Sequence, residues 1–299
     1  MTSGKRTAYA VSMAALVLGL ASVQIPTMLM QQLAYAHTFS GNESAGFIAT
    51  VGVLRTEIRL INSTVTTNSS QANEHAKIAV QHLSTYDTDQ LAERNKRIAT
   101  DLPNDLSALQ NMTINLSPTN TTGLAAVKQK VSDTDALLSE ALSVRVELAQ
   151  LTNATVYGTA VADLLNETLE RYSEALGIGA NTSAPSASSS TNITGASSNA
   201  MAIVKNVADY ESTKGLVNMT SETFNKTKTL ANTTNTNALS KIDNDLGQLR
   251  NMIDNKTGYS QIAMFVYNTI YPDLNTALNL GLPKVDANKA IQNTMSGAG

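Results

Sequence analysis

The chain has 299 residues, of which 42% are apolar, 15% charged and only 4% aromatic, with four Phe, nine Tyr and no Trp. A formal charge of −3, with no run of like charge, argues against a nucleic-acid-binding surface, which needs clustered Lys and Arg to displace counterions. The absence of cysteine excludes disulfides, thiolate catalysis, iron–sulfur ligation and Cys-type zinc sites.

The N-terminus reads as an export signal. Lys5 and Arg6 form a short positive region, Ala8 to Val23 carries no charge, and Ala34-Tyr35-Ala36 supplies a small-x-small cleavage site. Cleavage there leaves His37 as the first residue. Gly19-Leu20-Ala21 offers a second site, and residues 8–30, if uncut, are long enough to anchor the chain in a bilayer. Each version places the body of the protein outside the cytoplasmic membrane.

Phe47, Val51, Leu54, Ile58 and Ile61 then step by four and three, as one face of a helix does. Residues 62–70 are a polar connection and residues 71–86 a second helix. Asp87 to Leu102 forms a third, which Pro103 kinks or ends and Asp105 can restart. A turn with N-cap chemistry at Thr119 to Thr122 leads into a long helix on Leu124, Val127, Val131, Leu138, Leu142, Leu148 and Leu151. Val161, Leu165, Leu169, Tyr172 and Leu176 carry the next, stopped by Gly177 and Gly179. Residues 179–200 are a Ser/Gly/Thr-rich linker that cannot bury a core. Beyond it Met201, Val204 and Ala208 start a helix that Val217, Phe224 and Ala231 continue. Leu239, Ile242, Leu246, Leu249 and Ile253 form a clean seam, and Ile262, Val266 and Ile270 lead to Pro272, Leu274 and Leu278. No β alternation occurs. The expectation is an all-α protein of two antiparallel helical bundles, with no β-sheet. Its parts are a signal or anchor (1–36), bundle 1 (37–178), the linker (179–200), bundle 2 (201–282) and a mobile tail (283–299).

The polarity missing from the charges is carried by 28 Asn, 36 Thr and 27 Ser. Asn-x-Ser/Thr sequons begin at Asn42, Asn62, Asn68, Asn111, Asn115, Asn120, Asn153, Asn166, Asn181, Asn192, Asn218, Asn225, Asn232 and Asn255. Chance would give about 6 for this composition, so these 14 are in excess, as on a surface exposed to N-glycosylation. The competing explanation is an Asn/Thr-rich composition that happens to be patterned this way. An exported chain with many sequons and no cysteine fits an archaeal surface better than a eukaryotic secreted domain.

There are three histidines: His37, His75 and His82. His75 and His82 are seven residues apart on the seam His75-Ala79-His82-Tyr86. About 10.5 Å of helical rise separates them, so both face one way but cannot chelate one ion unaided. If cleavage follows Ala36, His37 offers its α-amine and imidazole together. One further His then completes a three-nitrogen, square-planar copper set, with Glu43, Glu57 and Glu74 as candidate oxygen ligands. This arrangement resembles the histidine brace of copper monooxygenases and periplasmic copper carriers, through the terminal His37 and one other His alone. The alternative is that His75 and His82 are packed bundle residues. The Glu-x-x-His pairs of a di-iron bundle are absent, as are a dinucleotide fingerprint, a Walker loop and a nucleophile elbow.

The signal, the His37-Thr-Phe-Ser-Gly-Asn-Glu-Ser-Ala-Gly-Phe segment, Glu74-His75-Ala76 and Ala92-Glu93-Arg94-Asn95 resemble uncharacterised exported helical proteins of ammonia-oxidising archaea, most clearly over residues 34–100. The resemblance implies lineage and location and transfers no activity; it favours copper, on which that metabolism depends. The expected function is that of an exported, N-glycosylated surface protein with a structural or interaction role and no catalytic constellation. Its partners would be cell-envelope or other surface proteins, with no nucleic acid, and it would touch the membrane only through an uncleaved N-terminus. The alternative is an extracytoplasmic copper-binding or copper-delivery protein.

Overall fold

Ser40 starts the first helix with a capping box: its hydroxyl accepts from the Glu43 N–H at 3.2 Å, and its own N–H donates to Glu43 Oε2 at 2.7 Å. The helix, α1, runs Gly41–Thr64 in a computed structural model that describes residues 39–178, 201–231 and 235–296. The signal, His37 and the linker (179–200) lie outside the described residues. The apolar step from Phe47 to Ile61 is buried as expected. So are Ala45, Ile48, Ala49 and Val53 on its other sides, so α1 is enclosed nearly all round.

Helices α2 (Ser69–His82), α4 (Lys96–Thr113) and α5 (Thr121–Arg145) join α1 in one core, with α3 (Thr85–Arg94) packed beside α4 and α5. The break expected at Pro103 falls instead at Asn95. That residue is extended, ends α3, and caps α4 through an Oδ1 that accepts from the N–H groups of Arg97 and Ile98. Helix α4 continues through Pro103 because Ile98, Leu102, Leu106 and Leu109 are buried on both sides of it. Each such burial contributes roughly 1.5–3 kcal/mol, more in sum than the roughly 3 kcal/mol a proline costs. The expected run from Leu124 to Leu151 is interrupted at Val146, and Leu148, in the single turn α6 (Leu148–Leu151), is exposed.

Helix α7 (Ala154–Ala175) ends in a Schellman motif at Gly177, where φ is +66°. The Gly177 N–H donates to the Glu174 carbonyl at 2.9 Å and the Ile178 N–H to that of Ser173 at 2.8 Å. Residues 201–206, expected to begin a helix, are irregular; Ala202 N–H donates to the Lys256 carbonyl and the N–H groups of both Lys205 and Asn206 to the Ala175 carbonyl. Asn206 then caps α8 (Val207–Leu230). There follow α9 (Thr236–Asp254), α10 (Tyr259–Phe265), a π-helical turn (Val266–Ile270) and α11 (Tyr271–Leu278). The expected tail from residue 283 carries a further helix, α12 (Ala287–Ser296), which buries Ile291 and brings Thr294 to the hydroxyl of Tyr259 at 3.2 Å.

The described residues are all-α, with no strand among them. The halves expected to form separate bundles share a core. Val161, Leu165, Leu169 and Tyr172 of α7 belong to the same cluster as Phe224, Leu246, Ile262 and Leu274, while Val156 and Ala160 of α7 belong to the first. Residues from Phe39 onward make one unit because α7 is apolar on two sides. No described helix is long and apolar enough to cross a membrane.

Threonine supplies part of the interior. Thr56, Thr134, Thr168, Thr213, Thr220 and Thr227 are buried, and each hydroxyl donates to the carbonyl four residues back, at 2.7 to 3.0 Å. Glycine sets the closest approach. A Cβ on Gly215 would lie 2.5 Å from Thr56 Cγ2, where α8 crosses α1, whereas Gly247, on the exposed face of α9, has open space around it. Gly215→Ala is expected to destabilise by about 1–3 kcal/mol and Gly247→Ala to stabilise by about 0.5–1 kcal/mol in urea unfolding.

Candidate functional site

The main concentration of ionisable chemistry lies where α1, α2, α7 and α8 meet. His75 of α2 and Glu57 of α1 are both fully buried, with His75 Nδ1 2.8 Å from Glu57 Oε2. Ser212 Oγ of α8 lies 3.4 Å from the same Nδ1. Seven-residue spacing puts His75 on a packing face, and Glu57 lies on the face of α1 turned toward that helix, so the two meet in the interior. The set is not a nucleophile–base–orienter relay, because serine and carboxylate share one ring nitrogen rather than flanking the imidazole. The opposite nitrogen, Nε2, is buried without a partner, as is Glu57 Oε1. All three side chains are closed to solvent.

Towards the surface, Arg171 of α7 donates to Glu174 Oε2 at 2.7 Å and lies 3.7 Å from Asp209 Oδ1 of α8. Asp209 is held by Asn206. Burial lifts the Asp209 carboxyl to about 6; Glu174 adds to this and Arg171 opposes it. A cleft of about 800 Å³ opens above, lined by Glu74, Lys77, Asn166, Arg171, Asp209 and Tyr259 among others. Its charges are largely engaged with each other: Lys77 donates to Glu74 at 2.8 Å, and Arg171 holds Glu174 and Asp209.

His82 is placed differently. Its Nδ1 lies 3.9 Å from Glu167 Oε2 of α7. Burial, reinforced by Arg171, pushes the imidazole down to about 4. Burial, reinforced chiefly by Glu170, lifts Glu167 to about 7, and Asp163 one turn earlier is lifted to about 6 by burial alone. Between these values His82 and Glu167 are both neutral, so their proximity is not an ion pair over most of the acid range.

His75 and His82 thus point to different carboxylates and do not converge. Of the candidate oxygen ligands, Glu43 caps α1 and accepts from the Tyr86 hydroxyl at 3.3 Å, Glu57 is held by His75, and Glu74 pairs with Lys77. Among the described residues no group of three His, Asp or Glu could hold a metal ion. Asp163, Glu167 and Arg171, whose four-residue steps form a stripe with the spacing of a solvated face, and Asp209 and Ser212 on α8 carry no distinguishing signal in the sequence. The eleven sequon asparagines inside the described residues are all exposed; Asn181, Asn192 and Asn232 lie outside them.

A buried cation packs against Phe39, the first described residue. Arg145 is 1% exposed and stacks between Phe39 and Phe47, with its guanidinium carbon 4.1 and 4.6 Å from the ring centres. It donates to the Glu43 carbonyl at 3.3 Å and to Gln90 Oε1. No family model matches the chain, and no similar curated protein or solved structure was found.

His75→Ala leaves Glu57 buried without its partner, and the expected loss in urea unfolding is about 3–5 kcal/mol. Replacing the pair together, Glu57→Leu with His75→Leu, is expected to restore most of that loss, since no buried polar group is then left without its partner. The pH dependence follows from the raised carboxyls. Glu167 is protonated in the folded state up to about 7 but ionises near its ordinary value when unfolded, so its contribution to stability falls as pH rises through that window. His82 acts in the opposite sense between about 4 and its ordinary value. Glu167→Gln is therefore expected to raise stability at pH 8 by an amount of order 2 kcal/mol and to leave it nearly unchanged near pH 4.5, as read by thermal unfolding across pH.

Proposed function

We propose that this chain is an exported, N-glycosylated helical protein of the cell surface whose role is structural or one of interaction with other envelope proteins. The observation that supports the reading best is the exposure of every sequon asparagine among the described residues, on a chain that begins with a signal-like segment. The distribution of polarity supports it further. The fully buried ionisable contact, Glu57 with His75, is sealed among four helices, and the groups around the cleft are bonded chiefly to each other. What the surface presents is Asn, Ser and Thr at helix ends and along outer faces, which suits a hydrated contact surface and carbohydrate attachment.

The test is intact mass with N-terminal sequencing of the full chain isolated from the cells that make it. The expected result is a chain beginning at His37 or Ser22, heavier than its polypeptide by whole glycan masses. A mass equal to the bare polypeptide removes the glycoprotein reading, and a chain recovered intact from the cytoplasm removes export.

A further inference from the structure

Burial and hydrogen bonding separate sequons whose Ser or Thr partner is exposed from those whose partner is buried, and among the described residues three of the four with an exposed partner lie on two neighbouring turns. Asn73 Nδ2, near the start of α2, donates to the Gln110 carbonyl at 2.9 Å and to Thr113 Oγ1 at 3.0 Å, near the end of α4. The α1–α2 turn and the α4–α5 turn are therefore neighbours. Val65 of one and Leu116 of the other are buried in the same core. Asn68 lies on the first turn, and Asn115 and Asn120 on the second. Phe39, under Arg145, lies at the opposite end of α1, whose 24 residues rise about 36 Å.

A transferase that modifies Asn-x-Ser/Thr needs the asparagine amide and the hydroxyl two residues on presented together by a loop. At Asn68, Asn115 and Asn120 the following Ser70, Ser117 and Thr122 are exposed. At Asn166, Asn218 and Asn225 the asparagine is exposed but its hydroxyl partner is buried inside a helix. Thr168, Thr220 and Thr227 donate to the carbonyls of Leu164, Leu216 and Thr223 at 2.7, 2.8 and 3.0 Å. Using those sequons means unwinding α7 or α8, which bury the shared core. Away from the turn pole, Asn153 also has an exposed partner, Thr155.

We infer that Asn68, Asn115 and Asn120 form a cluster of N-glycans at one pole of the folded protein, the end opposite Phe39, and that the helical sequons Asn166, Asn218 and Asn225 stay bare. The inference rests on the glycoprotein reading above. The donor is an oligosaccharide joined through its anomeric carbon to a lipid phosphate. The Nδ2–C1 bond forms as the C1–O bond to phosphate breaks; the lipid phosphate leaves with the electron pair and Nδ2 loses one proton. The helix caps survive this step. Asn68 and Asn120 cap through Oδ1, which accepts from the N–H groups of Gln71 at 3.1 Å and Gly123 at 2.9 Å and is untouched by bond formation at Nδ2.

The experiment is glycopeptide mass spectrometry on the full chain from its own cells, beside the variant Asn68→Asp, Asn115→Asp, Asn120→Asp. Aspartate removes each acceptor amide while keeping a cap oxygen, and circular dichroism checks that the variant is folded. Glycans on at least two of the three pole residues, none on Asn166, Asn218 or Asn225, and a corresponding loss of mass in the variant are expected. Glycans on the helical sequons, with the pole either bare or occupied, overturn the inference while leaving the glycoprotein reading standing. An unmodified chain overturns both.

Discussion

Helix α1 is packed against α2, α5, α7 and α8, which leave it only a narrow outer edge, where Arg59 reaches solvent and pairs with Glu222. Its one fully buried ionisable group, Glu57, must find its counterpart inside the protein, and His75 is that counterpart. The requirement fixes how α2 lies along α1. It also places Ser212 of α8 beside the pair, so α8 is fitted to a contact made by two helices more than a hundred residues earlier. Burying such a pair adds little net stability, but separating it is costly, so the contact constrains the arrangement more than it strengthens it.

The second constraint is the scarcity of aromatic residues. With 4% aromatics and no Trp, the core gains area elsewhere. Threonine methyls fill the interior while the hydroxyls are satisfied within their own helices. Gly52 and Gly215 let backbones approach until side chains of the next helix fill the notch. Buried tyrosines bond across helices, Tyr172 to the Thr257 carbonyl at 2.6 Å and Tyr271 to that of Ala162 at 2.7 Å, and burial raises both phenols well above their ordinary range. The Asn/Thr-rich composition therefore serves the core as well as the surface. Part of the sequon excess reflects this, since an exposed Asn followed two residues later by a core Thr is itself a helical pattern.

Helical class and the principal seams were legible because four-and-three spacing of apolar residues is a local signal; Phe47 to Ile61 and Leu239 to Ile253 are buried as the spacing implies. Helix ends were less so. Asn95 outranks Pro103 as a breaker because a side chain that satisfies two N–H groups stops a helix, whereas one missing donor can be carried when apolar residues are buried on both sides of it. The sharing of one core by the two halves was hidden because α7 carries two apolar faces, and a single-seam reading sees one. Of the polar centre, His75 was visible through its rarity. Arg171, Asp209 and Ser212 were not, since a buried charge stripe and a solvated one share the same spacing.

The threonine bonds have a consequence for how much information specifies this fold. A hydroxyl that bonds to its own helix is indifferent to what lies across the interface, so a surface tiled with such residues resembles a smooth bearing: it permits sliding by a turn at small cost. The instructions that forbid sliding are then concentrated in a few cross-helix keys: the Glu57–His75 contact, the Phe39–Arg145–Phe47 stack, the tyrosine tethers and the two glycine notches. The interior positions held by self-bonded Thr carry little of that information, while these few keys hold the address of every helix.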